Sequence, residues 1–176
     1  MPRVLSIFEE KSFRVCYWDA ESRYLASDKI LFEKKLEILG DVELVPLKSL
    51  DDKAFHPCQL LIIAADSVAE EDFQVWLKSL EKKIAQQGKV WTPTLILSTL
   101  SFETLDALLT QAVKSNWYFD ILSRDHLDSL PIRVANLLRI SDHLLELWRY
   151  NDTVSALSKK TAELENKIQS LVSKKA

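Results

Sequence analysis

Leu60-Leu61-Ile62-Ile63-Ala64-Ala65 is an unbroken apolar run. A strand with one wet face alternates apolar and polar residues, whereas a strand covered on both faces does not. The run therefore predicts a central strand in a sheet with helices packed on both sides. Thr94-Leu95-Ile96-Leu97-Ser98 is a second segment of this kind. Three weaker candidates flank them. Phe13–Trp18 is one, and Tyr118–Leu122 is another. Val42–Leu47 alternates and contains Pro46, which places it near a sheet edge.

Between these runs the apolar spacing becomes helical. Leu25, Phe32, Leu36 and Leu39 share a face, and Gly40 follows as a C-terminal cap. Phe73, Leu77, Leu80 and Ile84 form a second face, followed by Gly88. Ser67 and Glu70 have capping-box spacing, which predicts that this helix starts near Ser67. Leu105, Leu108, Leu109 and Ala112 give a third face, and Ser49–Pro57 is a short polar link. Strands alternating with helices predict an α/β fold, a five-stranded parallel sheet wound on both sides.

Composition narrows the chemistry. The chain has 176 residues and only two glycines, so neither a dinucleotide-binding nor a P-loop glycine motif can be present. No apolar stretch is long enough to span a bilayer, and the N-terminus lacks a secretory signal. Cys16 and Cys58 have no C-x-x-C spacing, and His56, His126 and His143 offer no metal-ligand pattern with them. The expectation is a cytoplasmic chain with reduced thiols, no metal and no cofactor. A net charge of −3 argues against a nucleic-acid binder. No histidine is spaced to serve a Ser or Cys nucleophile, so an enzyme is not expected.

The last third of the chain reads differently. A helix is predicted from about Asp128–Ser129, with Pro131 in its first turn, where a missing N–H costs nothing. No glycine or proline follows, so the helix could run about 65–70 Å, too long to pack on one small sheet. Val154, Leu157, Thr161, Leu164, Ile168 and Leu171 alternate spacings of 4 and 3 residues. Taking Val154 as position a puts β-branched residues at a and leucine at d, the pattern of a parallel two-stranded coiled coil. Lys160 at g and Glu165 at the next e could pair between chains. Upstream, Leu137, Ile140, Leu144 and Leu147 follow the same alternation, but Leu147 to Tyr150 is one residue short. Either local overwinding of the coil or a handover from domain packing to coil packing would produce that break. The predicted organisation is an α/β domain over 1–138 and a dimeric helical extension over 139–176.

The five-fold strand–helix rhythm, with motifs at the strand ends, resembles the receiver domain of bacterial two-component response regulators. That family has a flavodoxin-like fold, and the resemblance runs from Phe13 to Leu147. Receivers carry an acidic pair after the first strand, a phosphate-accepting Asp after the third, a hydroxyl after the fourth and a Lys-Pro after the fifth. The acids hold Mg²⁺, the Asp attacks phosphorus, and the hydroxyl and ammonium bind the phosphoryl oxygens. In Tyr17-Trp18-Asp19-Ala20-Glu21, Asp19 matches one acid, Ala20 replaces the other, and Glu21 follows. Ala64 falls where the phosphate-accepting Asp belongs, with Asp66 two residues on. Ser98 fits the hydroxyl position, Ser123 replaces the Lys, and Arg124 follows it.

The resemblance thus implies a pseudo-receiver with a vestigial pocket at Asp19, Ala20, Glu21, Ala64, Asp66, Ser98 and Ser123. The expected function is non-catalytic signalling: a homodimer that binds a protein partner or output domain, with changes relayed through helix packing near Leu144–Tyr150. Trp117 and Tyr118, just before the fifth strand, are a candidate partner face or else a packed corner. Two alternatives stay open. One is an atypical receiver phosphorylated on Asp66, and the other is a small-molecule-binding α/β module using the crevice at the strand ends.

Overall fold

The computed structural model describes residues 12–19, 25–50, 58–86, 92–101, 103–106 and 117–173. In chain order the elements are β1 (Phe13–Asp19), α1 (Leu25–Leu36), β2 (Val42–Leu47), β3 (Leu60–Ala64), α2 (Phe73–Gln86), β4 (Thr94–Ser98), α3 (103–106), β5 (Phe119–Ser123) and α4 (Leu130–Ser173). The five strands form one parallel sheet in the order β2-β1-β3-β4-β5. This is the doubly wound, flavodoxin-like order, in which the chain reverses direction across the sheet between β1 and β3.

Strand pleating sorts the core into two layers. Phe13, Val15 and Tyr17 of β1, Leu60 and Ile62 of β3, and Leu95 and Leu97 of β4 pack with Phe32 and Leu36 of α1 and Leu130, Val134 and Leu138 of α4. The alternate residues, among them Cys16, Leu61, Ile63 and Ile96, pack with Phe73, Leu77, Leu80 and Ile84 of α2 and with Leu105. Leu60 to Ile63 are wholly buried, so β3 has no wet face, as its composition demands. At about 1.5–3 kcal/mol per large apolar side chain, these two layers supply most of the drive to fold.

Gly40 has φ 96°, and its N–H bonds to the Glu37 carbonyl at 3.2 Å, closing a 3-10 turn over Glu37–Leu39. A side chain there would clash, which is why glycine ends this segment. Gly88 lies outside the described residues, as do Leu108, Leu109 and Ala112 of the third apolar face.

Two expectations are corrected. Helix α2 begins at Phe73, not near Ser67. Val68 N–H bonds to the Ala65 carbonyl and Asp72 N–H to the Ala69 carbonyl, so the intervening residues form successive turns. The first helical bond runs from Trp76 N–H to the Asp72 carbonyl. The acidic run Glu70-Glu71-Asp72 thus lies at the positive end of the helix dipole. The second correction concerns the cysteines. β1 and β3 are neighbours and both sulfurs face the α2 layer, so Cys16 and Cys58 pair as a disulfide with Cα atoms 5.9 Å apart.

The chain divides into two units, Met1–Ser141 and Asp142–Ala176. In the first, the α4 stripe Leu130, Val134, Leu137, Leu138 and Ile140 packs into the core. In the second, the chain is wholly helical through Ser173, and Leu147, Tyr150, Val154, Leu157, Leu164 and Ile168 are exposed. The change of heptad phase therefore falls where an internally packed stripe gives way to an uncovered one. Among the described residues, no helix is long and apolar enough to cross a membrane.

Candidate functional site

Parallel strands bring their carboxyl ends to one edge of the sheet, where the loops that follow can converge on a common crevice. The residues singled out from sequence gather there. Asp19 at the end of β1 is in register with Ala64 at the end of β3. Ser98 at the end of β4 is in register with Ser123 at the end of β5. Asp19, Ser98 and Ser123 are buried. Ser98 Oγ accepts a hydrogen bond from the Leu100 N–H at 3.2 Å, a local turn bond that ties the hydroxyl to its own loop. Ala20 and Glu21 lie outside the described residues.

The centre of this edge is a charged network. The Arg124 guanidinium donates from Nε and Nη2 to the two oxygens of Asp66 at 2.7 and 2.6 Å. It also donates from Nη1 and Nη2 to the two oxygens of Asp28, both at 2.9 Å. Each carboxylate is thus held in a forked, bidentate grip. All three side chains are nearly buried. Tyr17 completes the chain by donating its hydroxyl to Asp28 Oδ2 at 2.5 Å. The network ties β1, α1, the turn after β3 and the exit of β5 to one another.

Its electrostatics are coherent. Burial by itself would lower the Arg124 pKa, but the hydrogen bonds it donates to Asp66 and Asp28, with their charges, outweigh it and raise the value beyond its ordinary range. Tyr17 is also raised, first by burial, then by the Asp28 hydrogen bond and the charges of Asp28 and Asp19. A raised folded-state pKa stabilises the fold fully below the unfolded value of about 10 and loses that contribution as pH rises through the folded value. An alkaline titration followed by phenolate absorbance should therefore show Tyr17 ionising only together with unfolding. Tyr17→Phe should remove that late step. Early ionisation of every tyrosine in the still-folded chain would contradict the burial of this phenol.

Sequence reading named Asp66 and Arg124 but did not join them, and it missed Asp28 and Tyr17. A signal for Asp28 existed. It lies four and eight residues before Phe32 and Leu36, so it is in line with the buried face of α1. A carboxylate on a core-facing stripe needs a cation or donors, and Arg124 is the cation.

The aromatic pair separates. Trp117 is buried, its Nε1 donates to Thr94 Oγ1 at 3.1 Å, and its ring packs on Phe119 with centroids 5.0 Å apart. Only Tyr118 is exposed. Trp117 is thus part of a packed corner, and the pair does not form a continuous aromatic face. Two further ion pairs fix the approach to α4: Lys35 Nζ to Asp128 Oδ1 at 2.7 Å, and Arg133 Nη1 to both oxygens of Asp120 at 2.7 Å.

No protein-family model matches the chain, and a search of curated proteins finds no match.

Proposed function

We propose that this chain is a non-catalytic signalling protein, a receiver-like domain that takes no phosphoryl group and acts as a regulatory dimer through protein contacts. The observation that carries this reading is the Arg124 clamp at the carboxyl edge of the sheet. Phosphoryl transfer to a receiver needs a free carboxylate at the end of the third strand, a divalent cation beside it and a lysine for the phosphoryl oxygens. Here the strand ends in Ala64, which has no side-chain oxygen to offer. Asp66, two residues further on, has both oxygens engaged by Arg124. The guanidinium supplies within the chain a positive charge that compensates the local acids, and it does so without an exchangeable ion.

The second half of the proposal rests on the exposed apolar stripe of α4, whose β-branched a and leucine d positions suit pairing with a second copy. In this reading the α/β unit binds a protein partner or output domain, and α4 carries the resulting change toward the paired helices.

Incubation with acetyl phosphate and Mg²⁺, read by intact mass, tests the first half. The expected spectrum shows no added phosphoryl group. A single phosphoryl gain that disappears in Asp66→Asn would establish the competing reading, an atypical receiver phosphorylated on Asp66. Light scattering of the full chain tests the second half, with the mass of two chains expected and a monomer defeating the dimer.

A further inference from the structure

We infer that the second copy pairs with this chain from Leu147 onward, parallel and in register, so that Leu147 and Tyr150 form the first heptad of the dimer seam. The inference rests on the dimer reading above and specifies where and how the two helices meet. In the frame that puts Val154, Thr161 and Ile168 at a and Leu157 and Leu164 at d, Leu147 is the preceding a and Tyr150 the preceding d. Leu147 is 58% exposed and Tyr150 67%, matching the 60% of Leu157 and Ile168 further along. About six successive turns of one helix, from Leu147 to Ile168, therefore leave the same stripe uncovered. Leu130, Val134, Leu137 and Leu138 fall off the a and d positions of that frame and pack in the core of the α/β unit, and Ile140, one heptad before Leu147, is partly buried against it.

Charge and hydrogen bonding favour a second copy as the occupant and a parallel arrangement. In a parallel pair each g position faces the following e position of the other chain. That sets Glu146 opposite the partner's Asn151, Thr153 opposite the partner's Ser158, and Lys160 opposite the partner's Glu165. One contact is attractive and none brings like charges together. An antiparallel pair overlapping the same heptads would bring Lys160 against its own counterpart, a repulsion. The polar residue within the stripe is already satisfied. The Thr161 hydroxyl donates to the Leu157 carbonyl at 3.0 Å, so burying it at position a leaves no unmet donor.

Cysteine cross-linking of the full chain tests this. Tyr150→Cys, Leu157→Cys and Trp148→Cys are each oxidised by dioxygen with a copper catalyst and run on a non-reducing gel. Cys16 and Cys58 are already paired with each other, so the added thiol is the reactive one. Tyr150 and Trp148 are both exposed, so neither replacement disturbs a core. The expected result is a doubled mass for Tyr150→Cys and Leu157→Cys, and a single-chain mass for Trp148→Cys, which lies off the seam. If Leu157→Cys links and Tyr150→Cys does not, the seam starts later than Leu147 and the inference fails while the dimer stands. Equal linking of Trp148→Cys and Tyr150→Cys would overturn the heptad frame. Failure of all three, together with a monomeric mass by light scattering, overturns the inference and the dimer reading together.

Discussion

Arg124→Met should cost the α/β domain about 3–5 kcal/mol, the range seen when one member of a buried charge cluster is removed. Asp28 and Asp66 together receive four hydrogen bonds from one guanidinium, and their side chains are only 5% and 8% exposed. Methionine fills much of the volume of the arginine stem but donates nothing. Two carboxylates would then share a poorly solvated site with Tyr17, among the described residues, as the remaining side-chain donor. Chemical denaturation monitored by tryptophan fluorescence would read the loss as a lower midpoint with an unchanged slope. The rescue variant decides the cause. Arg124→Met combined with Asp28→Asn and Asp66→Asn removes the uncompensated charge, and most of the lost stability should return. Arg124→Lys should fall between, because one ammonium cannot fork onto two carboxylates. If Arg124→Met leaves the midpoint in place, the network contributes nothing to stability and the argument for a clamp collapses.

The sheet was largely legible because its strands are written in local composition. β3 and β4 appear as unbroken apolar runs, and β2 as an alternating run marked by Pro46, and each lies where its pattern puts it. The beginning of α2 was not legible. Ser67 and Glu70 have the spacing of a capping box, but the turns that follow Ala65 use those residues otherwise, and the apolar face starts only at Phe73. Local spacing cannot tell two consecutive turns from one turn of helix. The clamp was hidden for another reason. Arg124 lies 96 residues from Asp28 and 58 from Asp66. Only the sheet order brings these segments together, and no local pattern encodes it. The same holds for Cys16 and Cys58, 42 residues apart. A spacing rule such as C-x-x-C detects neighbours along the chain, whereas Cys16 lies in β1 and Cys58 just before the adjacent strand β3.

That disulfide leads to the second large effect. It closes a loop containing α1 and the edge strand β2. In the chain-entropy model, cross-linking a loop of about 40 residues restricts the unfolded state enough to stabilise the fold by about 4 kcal/mol. Reduction should therefore lower the melting temperature by about 8–16 °C, given about 2–4 °C per kcal/mol at this size. The native structure itself should persist, because each freed thiol is a small apolar group in a packed layer and leaves no strong donor unmet. Far-ultraviolet circular dichroism below the transition should then be the same with and without reductant. A Cys16→Ala, Cys58→Ala double variant should melt near the reduced protein and ignore reductant. Thiol counting on the chain unfolded without reductant gives an independent reading, with no free thiol expected. Two free thiols, or a melting temperature indifferent to reductant in the parent chain, would mean that the neighbouring sulfurs stay reduced. The β1–α1–β2 excursion would then be held by packing of Phe32, Leu36 and Leu44, by the β1–β2 pairing and by the Arg124–Asp28 and Lys35–Asp128 contacts.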